Sequence, residues 1–292
     1  MKQKFLAAVL ALVASVATAQ ADAISVNGVE RSYILDEARG SGPRPLIVAL
    51  HGGGGSAPQF KADSGLSPMA TARGASVVYP ESLTRQWNDG RANGRNPNVD
   101  VADDFAFMQA LVKDLVAKGI ADPNRIVFTG ISNGGMMSYA MACTTSLPIY
   151  AVVPVSANVD VGQDCSNSHA RLLNIVGTAD RAVPMAGGPV LFGWGQSAVQ
   201  SSSASFNMFL QANRCASTAT KPLPDNADDG MTSQAALGTG CAQSPVAQII
   251  VNGGGHAWAG GRARLKRLLG EPTQDFSANA MVVALALGAA PF

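Results

Sequence analysis

Three short stretches of this chain could do nucleophilic chemistry together, and each is dominated by glycine. Gly130-Ile131-Ser132-Asn133-Gly134 has the G-x-S-x-G spacing of a nucleophile elbow, where the turn is so tight that the flanking residues carry no side chain. A serine hydroxyl is a poor nucleophile near neutral pH and needs a positioned base. Behind such an elbow the triad runs serine, acid, histidine along the chain. Of the three histidines, His51 precedes the serine and His169 precedes the favoured acid. His256 remains, at the end of Gly253-Gly254-Gly255-His256.

The acid must fall between Ser132 and His256, which leaves Asp160, Asp164, Asp180, Asp225, Asp228 and Asp229. Asp180 closes Gly177-Thr178-Ala179-Asp180 just after an apolar run and would emerge at the same sheet edge as Ser132. There it would fix the imidazole tautomer and stabilise the imidazolium. Asp160 is the runner-up, and the acids at 225, 228 and 229 read as a solvated loop. His51-Gly52-Gly53-Gly54-Gly55 has the form of an HGGG-type oxyanion loop. The N–H groups of Gly53 and Asn133 are the expected oxyanion donors. A phosphate cradle is excluded, because neither the Lys-Ser/Thr ending of a P-loop nor a G-x-G-x-x-G helix start with an acidic partner follows. Trp258, two residues beyond His256, could wall the substrate pocket; Trp87 and Trp194 read as packing, and Met136 and Met137 as core.

The elements that must carry these residues are legible as alternating strand-like and helix-like runs, which predicts an α/β protein with a mainly parallel sheet covered on both faces. Ile24 to Leu35 reads as a hairpin around Asn27-Gly28. Strands are expected at Pro45 to Leu50, Ala75 to Tyr79, Arg125 to Thr129, Ala151 to Pro154, Leu172 to Val176 and Val246 to Val251. Helices are expected at Asp103 to Lys118, Asn133 to Ala142, Ser197 to Ala212 and Thr273 to Leu287. A polar loop from Pro80 to Pro97 carries Asn88-Asp89-Gly90-Arg91.

The amino terminus is expected to be a signal peptide over residues 1–19. Lys2 and Lys4 precede an apolar run from Phe5 to Val16, and Ala17-Thr18-Ala19 offers a cleavage site, with Ala21-Asp22-Ala23 as the second choice. The run is shorter than the roughly 20 apolar residues of a spanning helix. The mature chain, residues 24–292, is expected to be one catalytic domain, monomeric and secreted to the periplasm or the medium. With 47% apolar residues, 14% charged residues and a net charge of +1, the composition suits a globular protein and gives no electrostatic reason to expect nucleic acid or a membrane as partner. Four cysteines in an exported chain suggest disulfides. Cys143–Cys165 and Cys215–Cys241 are favoured, since each brackets one local excursion. No Cys-x-x-Cys spacing supports a metal site.

Beyond single motifs, Gly130-Ile-Ser-Asn-Gly-Gly-Met-Met137 resembles the secreted esterases that group polyhydroxybutyrate depolymerase-like enzymes, feruloyl esterases and acetylxylan esterases. Leu50-His-Gly-Gly-Gly-Gly55, Val99-Asp100 to Phe105, Gly177-Thr-Ala-Asp-Arg-Ala-Val-Pro184 and Gly253-Gly-Gly-His-Ala-Trp258 match further blocks in order. The resemblance spans about residues 25 to 288. It implies an α/β-hydrolase fold, no metal or organic cofactor, and Ser132, Asp180 and His256 as the triad. Val176 and Ala259 depart from the His and Pro common in that family. The expected activity is hydrolysis of feruloyl or acetyl esters of plant polysaccharide, or of short hydroxyalkanoate esters. A secreted serine peptidase and a non-catalytic binding protein on the same fold are the competing readings.

Overall fold

Strands buried on both faces have no solvated side to give to polar residues, so they read as unbroken apolar runs. The computed structural model describes residues 21–91, 103–191, 197–262 and 265–290. The expected leader over residues 1–19, the Val99-Asp100 block and Trp194 lie outside the described residues.

The chain opens with β1 (Asp22–Val26), β2 (Val29–Asp36) and β3 (Arg44–Leu50), followed by α1 (Ala57–Ser64), α2 (Leu66–Ala72) and β4 (Ser76–Pro80). Next come α3 (Asp104–Ala117), β5 (Ala121–Ile131), α4 (Asn133–Thr144), β6 (Ile149–Val155) and β7 (Arg171–Gly177). A small ribbon of β8 (Gly188–Pro189) and β9 (Ala198–Val199) precedes α5 (Ser202–Ala212), β10 (Ser217–Pro222), β11 (Thr232–Thr239), β12 (Val246–Asn252), α6 (Lys266–Leu269) and α7 (Ala278–Ala286). The main sheet has ten strands in the order β1-β2-β4-β3-β5-β6-β7-β12-β11-β10. From β4 across to β12 all neighbours are parallel, and both margins are antiparallel.

Alternate residues of each central strand feed opposite cores. Ile47, Val127, Val153, Ile175 and Ile249 pack with Phe60, Leu66, Val282 and Val283 from α1, α2 and α7. Leu46, Val48, Phe128, Val152 and Leu172 pack with Phe107, Leu111, Tyr139 and Phe209 from α3, α4 and α5. The opening hairpin turns at Asn27 and Gly28, both with positive φ (51° and 79°), the geometry an Asn-Gly turn favours.

Two helices are shorter than their periodicity predicts. The stretch from Ser197 does not become helical until Ser202, because Ala198 and Val199 pair with Gly188 and Pro189, and the Ser201 hydroxyl caps α5 by accepting from the Ala204 N–H. The final helix starts at Ala278 under a Ser277 cap, not at Thr273. Thr273 donates instead to Asp229, and Asp275 accepts from the N–H groups of Asn226 and Ala227. The 225–229 loop is thus tied down rather than merely solvated. Nothing in the pattern announced α1, α2, β10 or β11; β10 is exposed along its whole length and lacks an apolar face.

Cys143 is bonded to Cys165 and Cys215 to Cys241. No helix among the described residues is long and apolar enough to cross a membrane.

Two contacts fix how the site's elements meet. A Cβ at Gly134 would lie 2.3 Å from the Leu50 carbonyl oxygen, and one at Gly130 would lie 2.6 Å from the same atom. Further along, Arg31 on β2 pairs with Asp104 at the start of α3 and lies over the Phe107 ring. Burial pushes the Asp104 carboxyl above its ordinary range, even though the Asn88 N–H and Arg31 pull it down. Gly134→Ala is therefore expected to cost about 3 kcal/mol or more, since backbone and not a flexible side chain must yield. Arg31→Ala, which strands a buried carboxylate, is expected to cost about 3–5 kcal/mol. Urea titration followed by circular dichroism checks both.

Candidate active site

Ser132 lies between the end of β5 and the first residue of α4, with φ 57° and ψ −126°. Backbone strain of this kind costs about 1–3 kcal/mol and persists only where surrounding contacts enforce it. Here the Ser132 N–H donates to the Val155 carbonyl at 3.0 Å and the Ser132 carbonyl accepts from Met136 at 2.9 Å. The side chain is half-buried at the carboxyl edge of the sheet.

The same edge carries the other expected residues, because the parallel strands hand over to one another there. Ser132 N–H reaches Val155 at the end of β6, Ser156 N–H reaches Ile175 in β7, and Thr178 N–H reaches Val251 in β12. Asp180 follows β7 and His256 follows β12. The His256 Nδ1 donates to Asp180 Oδ2 at 2.8 Å, and both residues are buried. The other carboxylate oxygen of Asp180 accepts from the N–H groups of Ala182 and Val183, each at 2.8 Å. Charge-assisted bonds of this kind hold the carboxylate in one orientation.

The histidine loop is held as closely. The His256 N–H donates to the Leu269 carbonyl at 2.6 Å, and a Cβ at Gly255 would lie 2.2 Å from that oxygen. The Ala179 N–H donates to the Gly254 carbonyl, joining the acid and histidine loops. The Ser156 hydroxyl lies 3.5 Å from the Ala257 carbonyl, so β6 connects the elbow to the histidine's neighbour.

The glycine run after β3 lies against the elbow. A Cβ at Gly52 would be 3.5 Å from the Ser132 Cβ, and one at Gly53 would be 3.7 Å from the Asn133 Cβ. Gly53 and Asn133 are therefore neighbours. As the first residue of α4, Asn133 has an N–H with no acceptor within its own helix.

Other candidates lie elsewhere. Asp160 closes its own turn by accepting from Gly162, and His169 is exposed. Trp258 was expected as a pocket wall, but its ring packs edge-on against Phe60, its indole N–H donates to Asn279, and only 6% of it is exposed. Met136 and Met137 are core, as expected.

The pattern missed a polar network beneath the elbow. The Asn133 side chain accepts from the Trp87 N–H at 2.7 Å and donates to the Trp87 carbonyl and to Asp89 Oδ2. Asp89 also takes both carboxylate contacts from Arg91, whose guanidinium reaches Ser197. The only signal was the polar character of Asn88-Asp89-Gly90-Arg91. Among the described residues, no cluster of three or more His, Cys, Asp or Glu side chains could hold a metal ion.

Residues 38–191 match the family model described as phospholipase/carboxylesterase. A protein of Aspergillus terreus named probable feruloyl esterase C is 30% identical over 238 residues, covering 79% of this chain and 77% of that one. Feruloyl esterase C of Emericella nidulans is 31% identical over 174 residues, 57% of this chain and 60% of its own. Among solved structures, an acetyl xylan esterase from Aspergillus awamori shares the fold with a TM-score of 0.57 at 14% identity, covering 81% of this chain and 94% of that one. The chain belongs to the phospholipase/carboxylesterase family of α/β-hydrolases and is an esterase.

Proposed function

We propose that this esterase works through an acyl-enzyme on Ser132, with His256 as base and Asp180 as its orienting acid. The observation that carries the reading is the buried Asp180–His256 pair at the sheet edge where the strained Ser132 turn emerges. In the first step the Ser132 oxygen attacks the ester carbonyl while its proton passes to His256 Nε2. The imidazolium returns that proton to the departing alcohol, leaving the acyl group on Ser132. Water, deprotonated by His256, then releases the acid. The oxyanion of each tetrahedral intermediate is held by the N–H groups of Gly53 and Asn133, where one donor is worth about 3 kcal/mol of barrier.

The relatives named feruloyl esterase favour a feruloyl ester of plant polysaccharide as substrate; acetyl esters and short hydroxyalkanoate esters, which the motif resemblance also implies, come next. We further propose that residues 24–292 act as one catalytic unit after export and loss of the leader. Two disulfides support an oxidising compartment. Cleavage after Ala19 leaves β1 whole, whereas cleavage after Ala23 removes Asp22 and Ala23, which pair with Tyr33 and Ser32.

Ser132→Ala is expected to lower kcat on p-nitrophenyl butyrate by on the order of 10⁶ and to abolish fluorophosphonate labelling, with circular dichroism unchanged. Turnover comparable to the wild type would remove Ser132 from the mechanism. Asp180→Asn is expected to lower kcat by about 10⁴ while KM changes little, as steady-state kinetics would read. A panel of methyl ferulate, acetylated xylan and hydroxybutyrate oligomers decides the substrate class.

A further inference from the structure

Gly52 to Gly55 is a run of glycines, and glycine carries the largest backbone freedom of any residue. A donor for an oxyanion must sit within about 2.7–3.1 Å of the oxygen, and a misplacement of about 1 Å can cost on the order of 100-fold in rate. A four-glycine loop cannot hold such a position by its own stiffness. Something outside it must do so.

The contacts around the loop converge on the segment just after β4. Its backbone is anchored first, since the Glu81 N–H donates to the Ser32 carbonyl at 3.0 Å. Glu81 Oε1 lies 3.4 Å from His51 Nε2, at the start of the loop. Its Oε2 accepts from the Ala57 N–H at 2.9 Å, at the first residue of α1 and the end of the loop. Ser56, which precedes that helix, supplies no side-chain cap, so the Glu81 carboxylate takes that place. Between these two points the Gly54 N–H donates to the Arg85 carbonyl at 2.7 Å. The His51 ring is also approached at each nitrogen: Nδ1 lies 2.9 Å from the Gly52 carbonyl oxygen, and Nε2 lies 3.3 Å from the Ser82 N. Burial pushes Glu81 up, but the His51 contact, the Ala57 N–H and Arg85 outweigh it, and the carboxyl sits below its ordinary range.

We propose that Glu81 is a positioning residue for the oxyanion loop, its side chain bridging His51 and Ala57 so that the glycines between them present Gly53 N–H to the reacting carbonyl. The inference rests on the reading of Gly53 as an oxyanion donor, but the bridge itself can be tested without activity. Both ends of the bridge, His51 and Ala57, are buried, so its loss is expected to act on the chemical step and not on ground-state binding.

Glu81→Ala and Glu81→Gln decide it. In the alanine variant, amide hydrogen exchange across residues 52–57 is expected to speed up about tenfold while exchange in β5 and β12 is unchanged. Its kcat on p-nitrophenyl butyrate is expected to fall about tenfold to thirtyfold, with KM within about twofold. Glutamine spans the same gap and keeps an oxygen to accept from the Ala57 N–H, and is expected to return kcat to within about threefold of the wild type. Unchanged exchange at 52–57 in the alanine variant would overturn the bridge. Faster exchange with kcat intact, or a loss carried by KM, would overturn the positioning role, as would a glutamine variant no better than alanine. A wild type inert toward all esters would sink the catalytic reading, while exchange at 52–57 would still decide the bridge.

Discussion

The Leu50 carbonyl oxygen at the end of β3 is approached by backbone from both arms of the serine turn, and the rest of the site depends on that crowding. Only glycine fits at 130 and 134, where an added methyl group would overlap the oxygen. Because the turn is pressed onto the end of β3, the chain that leaves β3 must pass beside Ser132. The glycine run is delivered to Ser132 by that geometry rather than by any attraction of its own. The neighbouring strands then follow in series, each ending hydrogen-bonded to the next: Ser132 to Val155, Ser156 to Ile175, Thr178 to Val251. A displacement at the first junction would propagate to the histidine loop.

A second scaffold lies on the other side of the turn. Asn133 spends its amide on Trp87 and Asp89, and Trp87 donates its indole N–H to the His51 carbonyl. Buried polar groups contribute only when every partner is present, and each lost partner exposes the desolvation cost of the other. Satisfied in this way, the network makes one orientation of α4's first turn much better than its alternatives. Arg31 and Asp104 tie the same loop to the start of α3 through the Asn88 N–H. The polar interior thus serves the direction of an N–H vector.

Much of this was readable from the chain alone, for reasons of distance along it. The elbow, the Asn27-Gly28 hairpin and the buried strands are local patterns, each set by a few consecutive residues. So is the start of α3, expected at Asp103 and found at Asp104 with Asp103 as its cap, accepting from Ala106. The starts of α5 and α7 were misplaced because Ser201 and Ser277 cap them while the apolar spacing upstream still looks helical. Strand β10 was invisible because all its residues face water, and a strand without a buried face has no alternation to read. The Asn133–Asp89 contact joins residues 44 apart, and no local pattern encodes such a meeting. Trp258 has a partner that adjacency to His256 does not reveal: its neighbour in space is Phe60.

Glycine at 52 to 55, at 130 and 134, and at 253 to 255 leaves main chain without side chains on three stretches that meet around Ser132 and His256. Main-chain amides distinguish a carbonyl from other groups but cannot tell one acyl chain from another. Discrimination must then be written in side chains farther out, on connecting segments that tolerate replacement. With Ser132 as the proposed nucleophile, bond cleavage and choice of ester would sit in separate parts of the molecule. Such a division would let the choice of ester change without disturbing the turn that carries Ser132.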